Sequence, residues 1–217
     1  MTDGLVLHGD SGWYSPWVFH ALVALEEKQL AYRLETWPLP LPAEVRARLA
    51  AMNGVGRVPV LEHGAIAIGE SLAISEYLAE TFPTPGHPRI FPADLAERAR
   101  ARQVMSYLRT GLFALRELRP TTTVFGAPTT RALTAEAQAQ ADELLAAATH
   151  ALSDRLTIGA TWSIADADLA LALMRLVKNG DPVPPQLVAA AQATWARPSV
   201  QTYLRHAAAA AAVAAHA

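Results

Sequence analysis

The chain contains no cysteine among its 217 residues. This absence excludes disulfides, thiolate metal sites and a protein thiol as nucleophile, so any sulfur chemistry must use a sulfur brought by a ligand. The chain also lacks an excess of one charge. Its 18 basic and 20 acidic residues give a net charge of −2, which argues against a nucleic-acid partner.

Long apolar runs are scarce as well. The longest, Ala207–Ala215, falls far short of the roughly 20 residues that a membrane-spanning helix needs, so no membrane partner is expected. The opening MTDGLVLHGD has neither the basic start nor the apolar stretch of a secretory signal, and we expect a cytoplasmic location. The histidines follow no metal-binding spacing, so no metal site is expected.

Strand and helix signals alternate through residues 1–82. Short apolar or alternating runs predict strands at GLVLHG and AYRLETW and a hairpin at RVPVLEHGAIAIG. Amphipathic segments predict helices from Pro16 to Gln29, over AEVRARLAAM and over ESLAISEYLAETF. The predicted order is therefore βαβαββα.

Four prolines mark residues 83–93 as a linker. Strand signals vanish beyond it, so residues 94–217 are predicted to form an all-helical domain. Its first helix starts at Asp94 with an apolar stripe that reaches Leu115, and LRPTTTVFGAPTTRAL is predicted to be a loop. Further helices are predicted from Thr134 through Leu156, from the segment SIADADLAL to Lys178, near Leu187 and after Pro198.

The pair Ser15-Pro16 admits two interpretations. Proline favours the first helical position, which makes Ser15 the N-cap. A serine hydroxyl can accept from helix amides and still donate outward, and an anion placed there would meet the positive end of the helix dipole. Ser11 and Tyr14 are rival hydroxyls in the same loop.

Two further segments carry binding potential. In RVPVL, a proline at a strand start can leave the Val58 N–H and C=O aimed at an extended peptide-like ligand, although a plain edge strand also fits. Glu70-Ser71 directly precedes a helix. The pair is either ordinary capping or an amino-acid site in which Ser71 binds a carboxylate and Glu70 faces an ammonium group.

Ser163 and Asp166 have the spacing of a capping box, which predicts a folding role rather than a catalytic one. We expect Asp168 on the same helix to be exposed or locally paired.

The order of these motifs resembles the cytosolic glutathione S-transferases over essentially the whole chain. The matching pieces are Ser15-Pro16, RVPVL, ESLAISEYL and SIADADLAL. Three segments look like those of a proteobacterial subgroup of the family in which glutathione-dependent peroxidase activity is known. They are SPWVFHALVALEEK, ERARARQVMSYLR and RELRPTTTVF. The resemblance implies a thioredoxin-like N-terminal domain, an all-helical C-terminal domain and a homodimer.

The resemblance also implies roles for individual residues, with glutathione as co-substrate. Ser15 would donate a hydrogen bond to the glutathione sulfur and stabilise its thiolate. Val58, before a cis Pro59, would pair with the cysteinyl backbone, while Glu70 and Ser71 would hold the γ-glutamyl end. The remaining implied contacts are the glycyl carboxylate, for which the chain offers Asn53 and Arg57, and the electrophile pocket, for which it offers Trp13, Tyr14, Met105, Arg109 and Phe113.

The implied reaction is attack of the thiolate on a small electrophile or a hydroperoxide. Two alternatives remain open: a non-catalytic scaffold that binds a protein partner, and a glutathione-dependent isomerase. The isomerase class typically carries a cysteine near the first helix, which this chain lacks.

Overall fold

The structure is a computed structural model that describes residues 4–215 of the chain. The described residues up to Ile90, together with those from Thr202 on, form one compact unit, and Phe91–Gln201 form a second. The boundary after Ile90 falls inside the segment 83–93 that the sequence marks as a linker. The predicted bounds assigned every residue after 93 to the helical domain, whereas residues from Thr202 on group with the first unit.

The first unit contains a four-stranded sheet. Its elements are β1 (Leu5–Asp10), α1 (Pro16–Glu27), β2 (Tyr32–Trp37), α2 (Ala43–Asn53), β3 (Val60–His63), β4 (Ile66–Gly69) and α3 (Ser71–Thr81). The strand order is β2-β1-β3-β4, with β1 and β2 parallel and the other pairs antiparallel. The predicted order βαβαββα is confirmed.

Strand β1 lies between β2 and β3, and all of its residues are buried. Leu7 pairs with Leu34 on one side and with Leu61 on the other. Gly9 permits close packing of α1, because a Cβ at this position would lie 2.9 Å from a methyl carbon of Val18. This contact fixes the start of α1 close to the end of β1.

The second unit is helical. It contains α4 (Leu95–Thr110), α5 (Phe113–Leu118), α6 (Thr121–Phe125), α7 (Ala135–Leu152), α8 (Ile164–Val177) and α9 (Pro185–Trp195). The last helix, α10 (Pro198–Ala214), begins in this unit and continues in the first. Helix α8 packs against α4, α6, α7 and α9, and all but one of its residues are buried, which confirms the predicted central helix.

Buried polar pairs tie this second unit together. Arg119 donates to both carboxylate oxygens of Asp181, at 2.6 and 2.7 Å. Asp166 accepts from the Ser163 N–H at 2.7 Å, from the Ser163 hydroxyl at 3.0 Å and from the Ile158 N–H at 2.7 Å. Ser163 and Asp166 therefore form a buried cap at the start of α8. Burial raises the pKa of Asp166 to about 6, although these three hydrogen bonds oppose the rise.

Four predictions about this unit are wrong. The helix predicted to reach Leu115 ends at Thr110, because Gly111 after it is extended, and a new helix starts after Leu112, which adopts a positive φ of 64°. The segment predicted to be a loop contains α6. Helix α7 ends at Leu152 rather than at Leu156, and Ser153 after it has a φ of 50°. Asp168 is neither exposed nor locally paired: it is buried and forms an ion pair with Arg109, 59 positions away.

Candidate active site

Three chain segments converge at one edge of the sheet. In the antiparallel pair β1 and β3, His8 is opposite Val60, so the end of β1 lies beside the residues that precede β3. In the pair β3 and β4, Val60 is opposite Gly69, so the end of β4 lies at the same edge. The loop that leads from β1 to Ser15, the Val58–Pro59 dipeptide and the start of α3 are therefore neighbours by topology.

Ser15 is the N-cap of α1. Its backbone is extended, with φ −69° and ψ 118°, and its hydroxyl oxygen accepts from the Val18 N–H at 3.3 Å. Pro16 occupies the first helical position, which confirms the local structure read from the sequence. Ser15 is only 8% exposed. The hydroxyl hydrogen remains available for donation, because the cap uses the oxygen as an acceptor.

Asp10 organises the loop that leads to Ser15. Its carboxylate accepts from the Tyr14 N–H at 2.7 Å and from the Ser15 N–H at 3.2 Å. Asp10 is 1% exposed. Burial raises its pKa, while the hydrogen bonds from the loop amides oppose that rise. Trp13 within this loop has a positive φ of 56°, a conformation that bulky residues adopt only when their surroundings impose it.

Helix α10 contributes a buried aromatic cluster to the first unit. The Tyr203 hydroxyl donates to the Ser15 carbonyl oxygen at 3.2 Å. The Tyr203 ring packs edge-on against Trp13 and Phe19, with ring centroids 5.2 Å away in both cases. The His206 ring stacks on Trp13 at 4.2 Å. The residues on either side of Ser15 therefore pack against the last helix.

The Val58–Pro59 peptide bond is cis, as the resemblance implied. Val58 is 7% exposed. Among residues 4–215, neither its N–H nor its C=O has a hydrogen-bond partner. An unpaired backbone pair at a strand start can accept an extended chain in the manner of an added strand.

Helix α3 starts at Ser71, which is 3% exposed, and Glu70 before it has a positive φ of 63°. The Glu70 carboxylate accepts from the Arg57 Nε at 3.0 Å, and both side chains are more than half exposed. Strained backbone of this kind costs about 1–3 kcal/mol and occurs preferentially at functional sites. Helices α1 and α3 both begin at this edge, so the positive ends of their helix dipoles lie there.

Asn53 is held more tightly than the sequence suggests. Its Oδ1 accepts from the Val55 N–H at 2.8 Å, and its Nδ2 is buried with no partner among the described residues. Gly69 faces this amide, since a Cβ there would lie 2.8 Å from Nδ2. Of the two groups predicted for the glycyl carboxylate, Arg57 is therefore the exposed one.

The residues predicted for the electrophile pocket differ in exposure. In the first unit, Trp13 is buried and Tyr14 is 37% exposed. In the second unit, Met105 is fully buried, Phe113 is 65% exposed, and Arg109 donates to the Met105 carbonyl and to Asp168. Their role as pocket walls stays a prediction.

Sequence reasoning missed Asp10 and Tyr203. An aspartate at the end of a strand is a weak signal that a loop follows, because its carboxylate can accept from backbone amides. Tyr203 has no such signal, since its partner lies 188 positions earlier in the chain. Within the described part of the chain, no group of three or more histidine, aspartate or glutamate residues could hold a metal ion. No helix there is long and apolar enough to cross a membrane.

Two family domains match the chain in succession. Residues 14–81 match the glutathione S-transferase N-terminal domain, and residues 94–209 match the glutathione S-transferase C-terminal domain. The chain belongs to the glutathione S-transferase family.

Individual relatives agree with this assignment. A solved glutathione transferase homolog from Burkholderia gl BGR1 with bound glutathione shares 33% identity and a TM-score of 0.76, over 94% of this chain and 97% of that one. Glutathione S-transferase U13 of Arabidopsis thaliana is 35% identical over 102 residues, 47% of this chain and 44% of the relative. A probable maleylacetoacetate isomerase of Caenorhabditis elegans is 33% identical over 109 residues, 50% of this chain and 49% of the relative. The chain thus spans about half the length of the curated relatives it matches.

Proposed function

We propose that the protein is a glutathione S-transferase that binds glutathione at the sheet edge formed by the loop after β1, Val58–Pro59 and the start of α3. The observation that carries the proposal is the convergence of a buried serine hydroxyl, an unpaired backbone pair and two helix N-termini at that edge. Glutathione presents a thiol, a peptide backbone and carboxylates, which are the groups that such an edge can bind.

Each part of the tripeptide has a partner in this proposal. The Val58 N–H and C=O pair with the cysteinyl backbone, the Ser71 amide and hydroxyl bind the γ-glutamyl carboxylate, and Glu70 faces its ammonium group. Arg57 binds the glycyl carboxylate, because its guanidinium is 69% exposed and can leave Glu70 at little cost. The Ser15 hydroxyl donates to the sulfur.

The energetics of thiol ionisation agree with a single donor. A free thiol has a pKa of about 8.5, and lowering it by about 2 requires roughly 2.7 kcal/mol. A hydrogen bond from a hydroxyl to a charged group contributes about 1.5–3 kcal/mol, and the dipole of α1 adds about 0.3–1 kcal/mol. Because the chain has no cysteine, the bound tripeptide is the only thiol available at this edge.

The thiolate then attacks an electrophilic carbon, forms a carbon–sulfur bond and displaces the leaving group. With an organic hydroperoxide, the thiolate attacks the terminal oxygen and the O–O bond breaks. The departing alkoxide takes a proton from water and leaves as the alcohol, and the product on sulfur is a glutathione sulfenic acid. A second glutathione converts this species into the disulfide and water. We expect the enzyme to act as a homodimer in the cytoplasm.

A second candidate is a glutathione-dependent isomerase, which the similarity to proteins named maleylacetoacetate isomerase favours. In this case the thiolate adds to a conjugated double bond and is later expelled. The absence of cysteine distinguishes the chain from the typical isomerase and makes Ser15 the candidate activating group here as well.

The test is an activity panel with glutathione and chlorodinitrobenzene, cumene hydroperoxide or maleylacetoacetate, run on the parent protein and on Ser15→Ala. Turnover of either of the first two substrates that depends on Ser15 supports the transferase or the peroxidase. Turnover confined to maleylacetoacetate would make the isomerase correct. No binding of glutathione at millimolar concentration would overturn both and favour a non-catalytic scaffold.

A further inference from the structure

The last helix reaches the candidate nucleophile-activating residue directly. Tyr203 has no exposed surface, and its hydroxyl lies 3.2 Å from the Ser15 carbonyl oxygen. Burial raises the pKa of Tyr203 well above its ordinary value, and the nearby Asp10 adds to the rise. The Tyr203 hydroxyl therefore keeps its proton and acts as a donor throughout the working pH range.

The peptide group between Ser15 and Pro16 has few hydrogen-bonding atoms because residue 16 is proline. Pro16 has no N–H, so the peptide group between the two residues can be anchored only through its oxygen. That oxygen accepts from the Phe19 N–H at 3.1 Å and from the Tyr203 hydroxyl. In the preceding peptide group, the Ser15 N–H donates to the Asp10 carboxylate. Both peptide groups that flank the Ser15 Cα are thus fixed by buried side chains.

The orientation of the Ser15 hydroxyl depends on these two anchors. With the backbone fixed, the direction of the Cα–Cβ bond is set, and the contact between Oγ and the Val18 N–H leaves the hydroxyl hydrogen to point away from the helix. Misplacement of a reacting group by about 1 Å can reduce a rate about 100-fold. A backbone anchor at this position therefore bears directly on the activation of the sulfur.

The position of Tyr203 is itself fixed by neighbours from the first unit. Its ring packs edge-on against Trp13 and Phe19, which flank Ser15 in sequence. One residue earlier, the Thr202 hydroxyl donates to the Glu26 carboxylate on α1 at 3.1 Å. Residues 202 and 203 of α10 thus contact both ends of α1. A shift of the Tyr203 hydroxyl away from Ser15 would disturb the ring packing or the bond between Thr202 and Glu26.

We propose that Tyr203 is a positioning residue of the reaction: its hydroxyl holds the Ser15 carbonyl so that the Ser15 Oγ stays directed at the glutathione sulfur. This inference rests on the proposed function. It makes the C-terminal helix part of the thiol-activating machinery, in a role that goes beyond packing.

The test compares Tyr203→Phe with Tyr77→Phe. The first variant retains the ring that packs against Trp13 and Phe19 and loses only the hydroxyl. The second loses a comparable hydroxyl, which lies 2.8 Å from the His63 Nδ1 on β3, away from Ser15. The pH midpoint for ionisation of the enzyme-bound glutathione thiol is read from thiolate absorbance. Turnover number, affinity for S-methylglutathione and unfolding midpoint are measured in parallel.

We expect Tyr203→Phe to raise the pH midpoint for ionisation of the bound thiol. At pH values below that midpoint, turnover should fall about three- to ten-fold, which is the loss expected for one net hydrogen bond. Affinity for S-methylglutathione, which has no thiol to ionise, should stay within about two-fold of the parent. Tyr77→Phe should lose similar stability and keep the parental midpoint.

The outcomes separate this inference from the proposed function. If Ser15→Ala raises the midpoint and Tyr203→Phe does not, Tyr203 has only a structural role and the inference is wrong, while the proposed function stands. If the parent protein does not ionise bound glutathione, or if Ser15→Ala leaves the midpoint unchanged, both are wrong. An equal shift in Tyr203→Phe and Tyr77→Phe would also contradict the inference, because general loss of stability would then explain the effect.

Discussion

Replacement of Ser15 by alanine separates the cap that this residue forms from the role that the proposed function gives it. The hydroxyl caps α1 through the Val18 N–H and, in the proposed function, donates to the glutathione sulfur. Loss of the cap should cost about 1 kcal/mol of unfolding free energy. Loss of the bond to the thiolate removes about 1.5–3 kcal/mol, which raises the pKa of the bound thiol by about 1–2.

The second effect depends on pH. Below the ionisation midpoint, the thiolate fraction falls about ten-fold for each unit by which the thiol pKa rises, so Ser15→Ala should lose about 10- to 100-fold in kcat/KM for chlorodinitrobenzene. Above the pKa of the free thiol, both enzymes carry ionised glutathione and their rates should converge. The assay is therefore kcat/KM against pH for the parent and the variant.

Thr134→Ala is the matched control. Thr134 is the N-cap of α7, and its hydroxyl accepts from the Ala137 N–H at 3.2 Å, so the variant loses the same kind of cap in the second unit. It should lose about 1 kcal/mol of stability and keep the parental pH profile. The reasoning is refuted if Ser15→Ala keeps the parental apparent pKa. It is also refuted if the loss has the same size at every pH, because Ser15 would then not act through ionisation of the thiol.

Three further predictions concern stability. Gly9→Ala should cost about 1–3 kcal/mol in urea unfolding because its Cβ would lie 2.9 Å from a methyl carbon on α1, whereas Gly4→Ala, with nothing within 4 Å, should be neutral or slightly stabilising. Burial raises the pKa of Asp166 from 3.8 to about 6, so the folded protein binds this proton more tightly than the unfolded chain and stability falls as pH rises through that window. Asp166→Asn should remove up to about 3 kcal/mol of that pH dependence, measured as the difference between the two unfolding profiles. Arg119→Met should cost about 3–5 kcal/mol because it leaves the Asp181 carboxylate without its two-bond partner, and the added change Asp181→Leu should restore most of the loss; an unrestored double variant would contradict this.

Local signals in the sequence predicted much of the fold. The predicted helix starts are confirmed at Ser15, Asp94 and Thr134. At each, the side chain accepts a hydrogen bond from the N–H three residues later. Alternating strand residues and Gly64 predict the hairpin. Gly64 adopts the positive φ of 59° that the turn requires. These features depend on residues close in sequence, so their physical cause is visible in a short window.

Features without a signal in neighbouring residues are not predicted from the sequence. Leu112 favours helix by propensity, yet it takes a positive φ where α4 gives way to α5. The prediction that Asp168 is exposed or locally paired is wrong because its partner, Arg109, lies on another helix. Tyr203 could not be connected with Ser15 for the same reason. The contacts that hold Ser15 and Asp168 in place therefore have no signal in a short window of sequence, and the ligand contacts proposed for Ser15, Val58 and Ser71 stay predictions.

In the proposed function, a bound tripeptide supplies the nucleophile and the sheet edge around Ser15 keeps its sulfur ionised. The most direct measurement is a pH titration of the thiolate absorbance of glutathione bound to the parent protein. We predict a midpoint about 2 below the value of about 8.5 for a free thiol. A midpoint at the free value, or the absence of binding at millimolar glutathione, would contradict the account.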